Sequence, residues 1–135
     1  MTPLFSISGT VIKGSQLGRK LGYPTANLDL PDASRFYHLT GVYAATVVLE
    51  EEIYPGMANI GFRPTLDQLS FTVEVNIFDF NKDIYGQEIT IRFLERIRDE
   101  IRFTSMEELV TQMAKDETEI RKILSLALKP NTDSQ

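Results

Sequence analysis

The spacing of the apolar residues changes once along this chain, from a period of two before residue 96 to a helical period after residue 103. The clearest alternation lies in Phe71-Thr-Val-Glu-Val-Asn-Ile-Phe78. Successive side chains of a strand point to opposite faces, so one face carries Val73, Val75 and Ile77, and the other carries Thr72, Glu74 and Asn76. A chain with this pattern must build its core from short strands and add one long helix.

Breaker residues divide the part before residue 96 into about six short strands. The segments rich in β-branched and aromatic residues are 5–12, 25–28, 41–50, 53–60, 71–78 and 88–95. Residues 31–40 are predicted as a loop, and the acidic turn around Glu51 makes a hairpin of the strands on either side of it. Short antiparallel strands followed by one helix predict a mainly β fold, a small β-barrel with a C-terminal helix packed on it.

The start of the helix is marked by two overlapping capping boxes, Thr104 with Glu107 and Ser105 with Glu108. Either box could begin the helix. Its apolar face follows at helical spacing, with Leu109, Met113, Ile120, Ile123, Leu124 and Ala127. Pro130 ends it, which predicts a single domain over residues 1–130 and a disordered tail over 131–135.

The composition of the chain excludes several kinds of functional site. The chain has no cysteine and a single histidine, His38, which excludes disulfides, thiolate metal sites and multi-histidine centres. The net charge is −5 and no segment concentrates the basic residues, which argues against a nucleic-acid or membrane partner. The first residues do not form a signal peptide, and we expect a cytoplasmic protein. Carboxylates, hydroxyls, amides and backbone groups are left to carry the chemistry.

A glycine-rich segment between Gly14 and Gly22 is the first candidate site. Glycines let backbone N–H groups crowd around an anion, and Arg19 and Lys20 add positive charge beside Gly18. The spacing differs from that of a Walker A loop and of G-x-G-x-x-G. Composition alone therefore leaves two interpretations open: a phosphate-binding loop, or an ordinary hairpin loop with two solvated cations.

The next four residues, Pro24-Thr-Ala-Asn27, place a hydroxyl and a carboxamide two residues apart. In an extended segment Thr25 and Asn27 point to the same side, where their hard neutral oxygens suit Mg²⁺. Such an ion takes much of its coordination shell from substrate phosphates, so no carboxylate cluster is required. A threonine and an asparagine in a plain turn would give the same four residues, and Glu74 alone is most simply a solvated carboxylate on a strand.

Several motifs occur together in an order that resembles riboflavin kinases, in particular the kinase module of bacterial FAD synthetases. They are Gly9-x-Val-x-x-Gly14, Gly18-Arg-Lys-Leu-Gly-Tyr-Pro-Thr-Ala-Asn27, Gly41-Val-Tyr43, Asn59-Ile-Gly-x-Arg-Pro-Thr65, Glu74, Asp79-Phe80, Tyr85-Gly86 and Arg98-Asp-x-x-x-Phe103. The resemblance extends from about Ser6 to Ala127. It implies a six-stranded Greek-key barrel with a C-terminal helix, and transfer of the ATP γ-phosphate to the ribityl 5′-hydroxyl of riboflavin. A non-catalytic flavin- or nucleotide-binding module is the alternative.

The resemblance also implies roles for single residues. It makes Glu74 the catalytic carboxylate, and Thr25 and Asn27 the ligands of Mg²⁺ or another divalent metal. For ATP and its phosphates it implies Gly14, Gly18, Arg19, Lys20 and Gly22 together with Thr25 and Asn27, and for the flavin it implies Arg98, Asp99, Ile101 and Phe103. One position departs from the family pattern, because many members have histidine where this chain has Asn76, so a proton relay through that position is absent.

The remaining candidates are weaker. His38 lies in a predicted loop, where a surface or capping role is more common than catalysis. Tyr85 resembles a family position near the adenine, but a packed tyrosine in a hairpin turn explains it equally well. Bifunctional FAD synthetases carry an N-terminal FMN adenylyltransferase domain with a histidine-containing motif. This chain begins at the kinase barrel, so we expect it to make FMN and not FAD, whether it is a complete kinase or a fragment of a longer protein.

Overall fold

A computed structural model describes residues 2–14, 19, 22–64 and 68–128 of the chain. Its strands are β1 (Phe5–Ile12), β2 (Ala26–Asp29), β3 (Gly41–Leu49), β4 (Glu52–Pro64), β5 (Leu69–Ile77) and β6 (Glu88–Arg98). A 3-10 helix covers Ala33–Leu39, and the helix α1 covers Met106–Leu128. The predicted tail, residues 131–135, lies outside the described residues. Among the described residues no helix is long and apolar enough to cross a membrane.

The six strands close into one antiparallel barrel in the order β1-β2-β5-β4-β3-β6. Strands β3, β4 and β5 follow one another as neighbours, and β6 returns to pair with β3. This order is a Greek key. The mainly β prediction with a C-terminal helix is confirmed, and so is the six-stranded Greek-key barrel that the resemblance implied.

Alternation along each strand separates the barrel core from its outer face. The predicted inward face of β5 is confirmed, because Val73, Val75 and Ile77 belong to the buried core. On β2, the neighbours of Asn27 on either side, Ala26 and Leu28, point into the same core. Polar residues at the intervening positions are thereby placed on the outside of the barrel.

Three elements differ most from the sequence prediction, while β2, β3 and β5 differ by one or two residues at their ends. Strand β4 continues to Pro64 and β6 continues to Arg98, because pairing with β5 and β3 provides partners beyond the predicted ends. The predicted loop 31–40 contains the 3-10 helix, in which Phe36 and Leu39 pack against the barrel core. Residues three apart lie on one side of a 3-10 helix, so one short turn directs both side chains inward.

Helix α1 covers the outer face of β3 and β4. Its residues Ile120 and Leu124 are buried there in a second apolar cluster with Val42, Ala44, Met57, Phe78 and Leu94. Two of the predicted face residues, Met113 and Ile123, pack at its edge. Of the two possible capping boxes the structure uses the second, since the Glu108 backbone N–H donates to Ser105 Oγ at 3.1 Å.

Candidate active site

The pairing of β2 with β5 places Asn27 directly opposite Glu74 on the outer face of the barrel. Asn27 is 7% exposed, and the Glu74 side chain is 18% exposed. The backbone of Gly14 lies against the Asn27 carboxamide so closely that a Cβ at position 14 would overlap it. Three residues predicted for the site, Gly14, Asn27 and Glu74, therefore occupy one place.

The open end of the barrel holds a cavity of about 470 Å³, whose wall includes Ala26 and Val75, the residues next to Asn27 and Glu74 in the sequence. Thr25, which immediately precedes β2, lies on its wall. The cavity has an apolar floor formed by residues that include Val11, Ala26, Val75, Ile77 and Ile84. Its charged lining consists of three cations, Lys13, Arg19 and Lys82, and one carboxylate, Asp83. The Lys13 ammonium lies 5.5 Å from the centre of the Tyr85 ring. An anion with an apolar or aromatic end matches this lining.

Asn76 holds the segment that leads to Thr25. Its Nδ2 donates to the Pro24 carbonyl oxygen at 2.7 Å, and the side chain is 7% exposed. A proline has no N–H of its own, so this carbonyl is the hydrogen-bonding group by which Pro24 can be tied to β5. On the other side of the segment, burial and a hydrogen bond with Glu117 raise the pKa of Tyr23. Sequence reasoning treated Asn76 as a lost relay and missed its donor role.

Two charged residues that sequence reasoning assigned no role stand next to Glu74. The Arg63 guanidinium lies 3.6 Å from Glu74 Oε1 and 3.8 Å from Glu100 Oε2. Glu100 packs on Gly61, where a Cβ would overlap its carboxylate. Burial raises the pKa of Glu100, Arg63 opposes this rise, and the charge of Glu74 adds to it. The only sequence feature near these two residues was the Gly61-Phe-Arg-Pro64 cluster. Its composition is typical of a turn, but it belongs to β4.

The residues predicted for the flavin are arranged around the start of the helix. Arg98 donates to both carboxylate oxygens of the buried Asp116 on α1, with Nε 3.0 Å from each, and its Nη1 donates to the Asp99 carbonyl. Asp99 is exposed and pairs with Arg96 at 2.7 Å. Ile101 is exposed, and Phe103 is half-buried with its ring centre 6.0 Å from the Arg98 guanidinium. Arg98 thus anchors the helix, while Glu100 is the residue of this segment that reaches Glu74's surroundings.

The other predicted nucleotide residues are only partly described. Arg19 lines the cavity, and Gly22 has a φ of +91° that favours glycine. Gly18 and Lys20 lie outside the described residues.

The oxygen atoms gathered here suit a hard cation. Thr25 offers a hydroxyl, Asn27 a carboxamide and Glu74 a carboxylate, all oxygen ligands of the type that Mg²⁺ accepts. No group of three or more histidine, cysteine, aspartate or glutamate residues gathers in the described part of the chain. An ion held here would therefore take the rest of its shell from water and from a phosphate-bearing substrate.

Comparison with known proteins identifies the family of this chain. The sequence model of the family described as riboflavin kinase (Flavokinase) matches residues 1–124. The chain is 46% identical over 112 residues to a Bacillus subtilis protein named RNA-binding riboflavin kinase RibR, covering 82% of this chain and 47% of that protein. It is 42% identical over 123 residues to the bifunctional riboflavin kinase/FMN adenylyltransferase of Escherichia coli K12, covering 90% of this chain and 39% of that protein.

A solved structure leads to the same family. The riboflavin kinase from Trypanosoma brucei superposes with a TM-score of 0.62 at 30% identity, covering 98% of this chain and 93% of that one. The chain spans less than half the length of the two curated relatives described above. The match of the family over residues 1–124 nevertheless includes every strand of the barrel and most of α1. This chain belongs to the riboflavin kinase family.

Proposed function

We propose that the chain transfers the γ-phosphoryl group of ATP to the ribityl 5′-hydroxyl of riboflavin and yields FMN and ADP. The observation that carries this proposal is the position of Glu74, opposite Asn27 on two strands whose adjacent residues Val75 and Ala26 line a cavity with three cationic side chains. A carboxylate next to a place for phosphates is what transfer to an alcohol needs. Membership of the riboflavin kinase family supports the identity of that alcohol.

The proposed reaction uses groups on both sides of β2. Lys13, Arg19 and Lys82 attract the phosphates of the nucleotide at the mouth of the barrel. On the outer face, Glu74 accepts the proton of the riboflavin 5′-hydroxyl. At the same time the 5′-oxygen bonds to the γ-phosphorus, and the bond between that phosphorus and the ADP oxygen breaks. The Arg63 guanidinium, 3.6 Å from Glu74 Oε1, helps to hold the Glu74 carboxylate in place before the transfer.

A divalent cation such as Mg²⁺ fits the oxygen atoms of Thr25 and Asn27, and when bound it would neutralise charge on the phosphates. Gly14 supports this role of Asn27, since its backbone fixes the carboxamide from behind. Any side chain at position 14 would push Asn27 out of line with Glu74.

The flavin ring has a candidate site next to the start of α1. Ile101 is 46% exposed, and it offers apolar surface together with the half-buried Phe103. Arg98 and Asp99 keep this segment close to the barrel through their bonds to Asp116 and Arg96. We propose that the flavin ring of riboflavin packs here with its ribityl chain directed toward Glu74.

Partners beyond the substrates rest on the sequence. We propose a cytoplasmic protein that needs neither nucleic acid nor membrane for this activity. RNA binding is in the name of the Bacillus subtilis relative, of which this chain covers 47%. An FMN adenylyltransferase activity is in the name of the Escherichia coli relative, and for the barrel described here we propose formation of FMN alone.

The decisive experiment incubates the protein with riboflavin, MgCl₂ and ATP and separates the flavins by chromatography. Glu74→Gln keeps the size of the side chain but removes its basicity, so we expect kcat to fall about 10²- to 10⁴-fold. Riboflavin and ATP affinities should stay close to wild type. Glu119→Gln, an exposed glutamate on α1, is the matched control.

Two outcomes would contradict the proposal. FMN formation by Glu74→Gln at close to the wild-type rate would remove Glu74 from the mechanism. Binding of riboflavin and ATP without any FMN formation by the wild-type protein would favour the alternative, a non-catalytic flavin- and nucleotide-binding module.

A further inference from the structure

The buried side-chain oxygens that lack a hydrogen-bond partner all lie in one place. Among the described residues they are Asn59 Oδ1, Thr72 Oγ1 and Glu100 Oε1. Asn59 is directly opposite Glu74 across β4 and β5, and Thr72 is two residues before Glu74 on the same face. Buried polar atoms without partners are rare in folded proteins, and each one needs an explanation. Three around one carboxylate indicate a place prepared for a ligand.

Gly61 connects the third of these oxygens to the other two. It pairs with Thr72 across the strands, and the Glu100 carboxylate occupies the space above its missing side chain. We call Asn59, Thr72 and Glu100 the acceptor patch. Arg63 faces Glu74 and Glu100 at 3.6 and 3.8 Å, too far to give either a short hydrogen bond. The patch is therefore held by weak contacts and retains its capacity to accept hydrogen bonds.

The chemistry of the patch selects the kind of ligand. A carboxylate and a carboxamide oxygen only accept hydrogen bonds, and a threonine hydroxyl can accept or donate. Together with Glu74 the patch presents two carboxylates, and Arg63 offsets only one of their charges, so the patch favours a neutral ligand over an anion. A flexible chain with several neutral hydroxyl groups provides the donors that are missing and brings no negative charge.

We infer that the acceptor patch recognises a polyhydroxylated chain, and that Asn59, Thr72 and Glu100 bind the ribityl hydroxyls of riboflavin. This inference rests on the proposed function for the identity of the polyol. The oxygen atoms are shut off from solvent, so the ligand reaches them only when Glu100 moves off Gly61. Glu100 belongs to residues 99–105, which have no regular secondary structure, and its side chain is 28% exposed.

The test compares riboflavin with lumiflavin, which has the same ring system but a methyl group in place of the ribityl chain. Affinities are measured by quenching of flavin fluorescence, without ATP. Thr72→Val should weaken riboflavin binding about 2- to 10-fold and Glu100→Gln about tenfold, while lumiflavin affinity stays unchanged. Wild-type protein should bind riboflavin more tightly than lumiflavin.

The melting temperature of the free protein adds an independent readout. Thr72→Val removes a buried hydroxyl that has no partner, so its Tm should be unchanged or up to about 3 °C higher. The matched control is Thr90→Val on β6, the strand opposite β5 in the barrel. Thr90 Oγ1 is hydrogen-bonded to Ser8 Oγ at 2.7 Å, so this variant should have an equal or lower Tm and wild-type riboflavin affinity.

The inference fails if Thr72→Val and Glu100→Gln bind riboflavin as wild type does. It fails equally if they lose affinity for lumiflavin by the same factor, since the effect would then lie in the ring site. Failure of the proposed function has a different signature. The protein would form no FMN, while the affinity pattern of the variants, measured without ATP, would still hold.

Discussion

At the scale of single residues, the same side-chain type does different work depending on what its strand places beside it. Asn27 lies against the backbone of Gly14 and opposite Glu74 on the neighbouring strand. Asn76 faces the same outer side on β5 but donates to the Pro24 carbonyl. In the proposed mechanism the first asparagine is a metal ligand, and the second positions the segment that carries Thr25.

Asn76→Leu should impair nucleotide use more than riboflavin binding. The change removes the hydrogen-bond donor of the part-buried Pro24 carbonyl, which costs about 0.5–1.5 kcal/mol of stability. Displacement of Thr25 by about 1 Å would lower the rate on the order of 100-fold. Asn76→His keeps an N–H donor and should preserve most of both properties. Urea denaturation and steady-state kinetics with varied ATP check this prediction, and a Leu variant equal to the His variant in both assays would contradict it.

At the scale of elements, the helix is fastened to the barrel at its beginning and along its first half. The Glu108 carboxylate accepts hydrogen bonds from the Thr104 backbone N–H at 3.0 Å and from Thr104 Oγ1 at 2.6 Å. Asp116, two turns further along the helix, accepts hydrogen bonds from the guanidinium of Arg98 at the end of β6. These two carboxylates fix where the helix starts and how it lies on β3 and β4.

The cap should make stability depend on acid pH. The hydrogen bonds from Thr104 hold the pKa of Glu108 below its ordinary value of 4.5. A depressed folded-state pKa means that the stabilisation is fully present above the unfolded pKa and is lost as pH falls through the folded one. The Tm advantage of wild type over Glu108→Gln should therefore be constant at neutral pH and disappear in acid below pH 4.5. Parallel thermal melts from neutral to acid pH measure it, and an advantage that persists in strong acid would contradict it.

Removal of Asp116 should be far more damaging than removal of an exposed aspartate. Asp116 is 2% exposed, and Asp116→Ala leaves the largely buried Arg98 without its partner, which costs about 3–5 kcal/mol. The control is Asp99→Ala, because Asp99 pairs with Arg96 at a comparable 2.7 Å but its side chain is 85% exposed. Such a surface pair contributes about 0–1 kcal/mol. Urea denaturation compares the two variants, and equal losses of stability would contradict this account.

At the scale of the whole molecule, the barrel separates a cationic mouth from an acceptor-rich outer face. Strand β2 lies between them, with Thr25 on the cavity wall and Asn27 opposite Glu74. In the proposed reaction, a phosphate donor and a hydroxylated acceptor approach from different directions and meet at one strand. Once the acceptor has entered, return of the segment that carries Glu100 would complete the site and exclude water from the phosphoryl group.

Hydrogen exchange should detect this closure. Backbone amides of residues 99–103, which form no strand or helix, should exchange more slowly when ADP, Mg²⁺ and FMN are all present. We expect the same response over residues 14–22, most of which lie outside the described residues. Amides in the middle of β3 serve as the internal control, since both of its neighbouring strands already protect them. Equal exchange at residues 99–103 with and without ligands would refute the closure.

Much of this molecule could be predicted from local pattern. The period of two in residues 71–78 identified both faces of β5, and the overlapping capping boxes located the start of α1 within one residue. Family motifs singled out Thr25, Asn27 and Glu74, and the structure brings Asn27 to Glu74. The ends of the strands were predicted less accurately. The Gly61–Pro64 cluster, for example, is typical of a break between strands, but it belongs to β4 because it pairs with β5.

By itself, the sequence determined the number of strands, the faces they bury and the chemistry available, since periodicity and residue type act over a few neighbouring positions. Only the tertiary structure decided that Glu100 rests on Gly61 and that Arg98 pairs with Asp116. Asn59 likewise became a neighbour of Glu74 only through the register of β4 and β5. The physical reason is that register is set by closing the whole barrel, and a shift of one residue would move every one of these side chains to the opposite face.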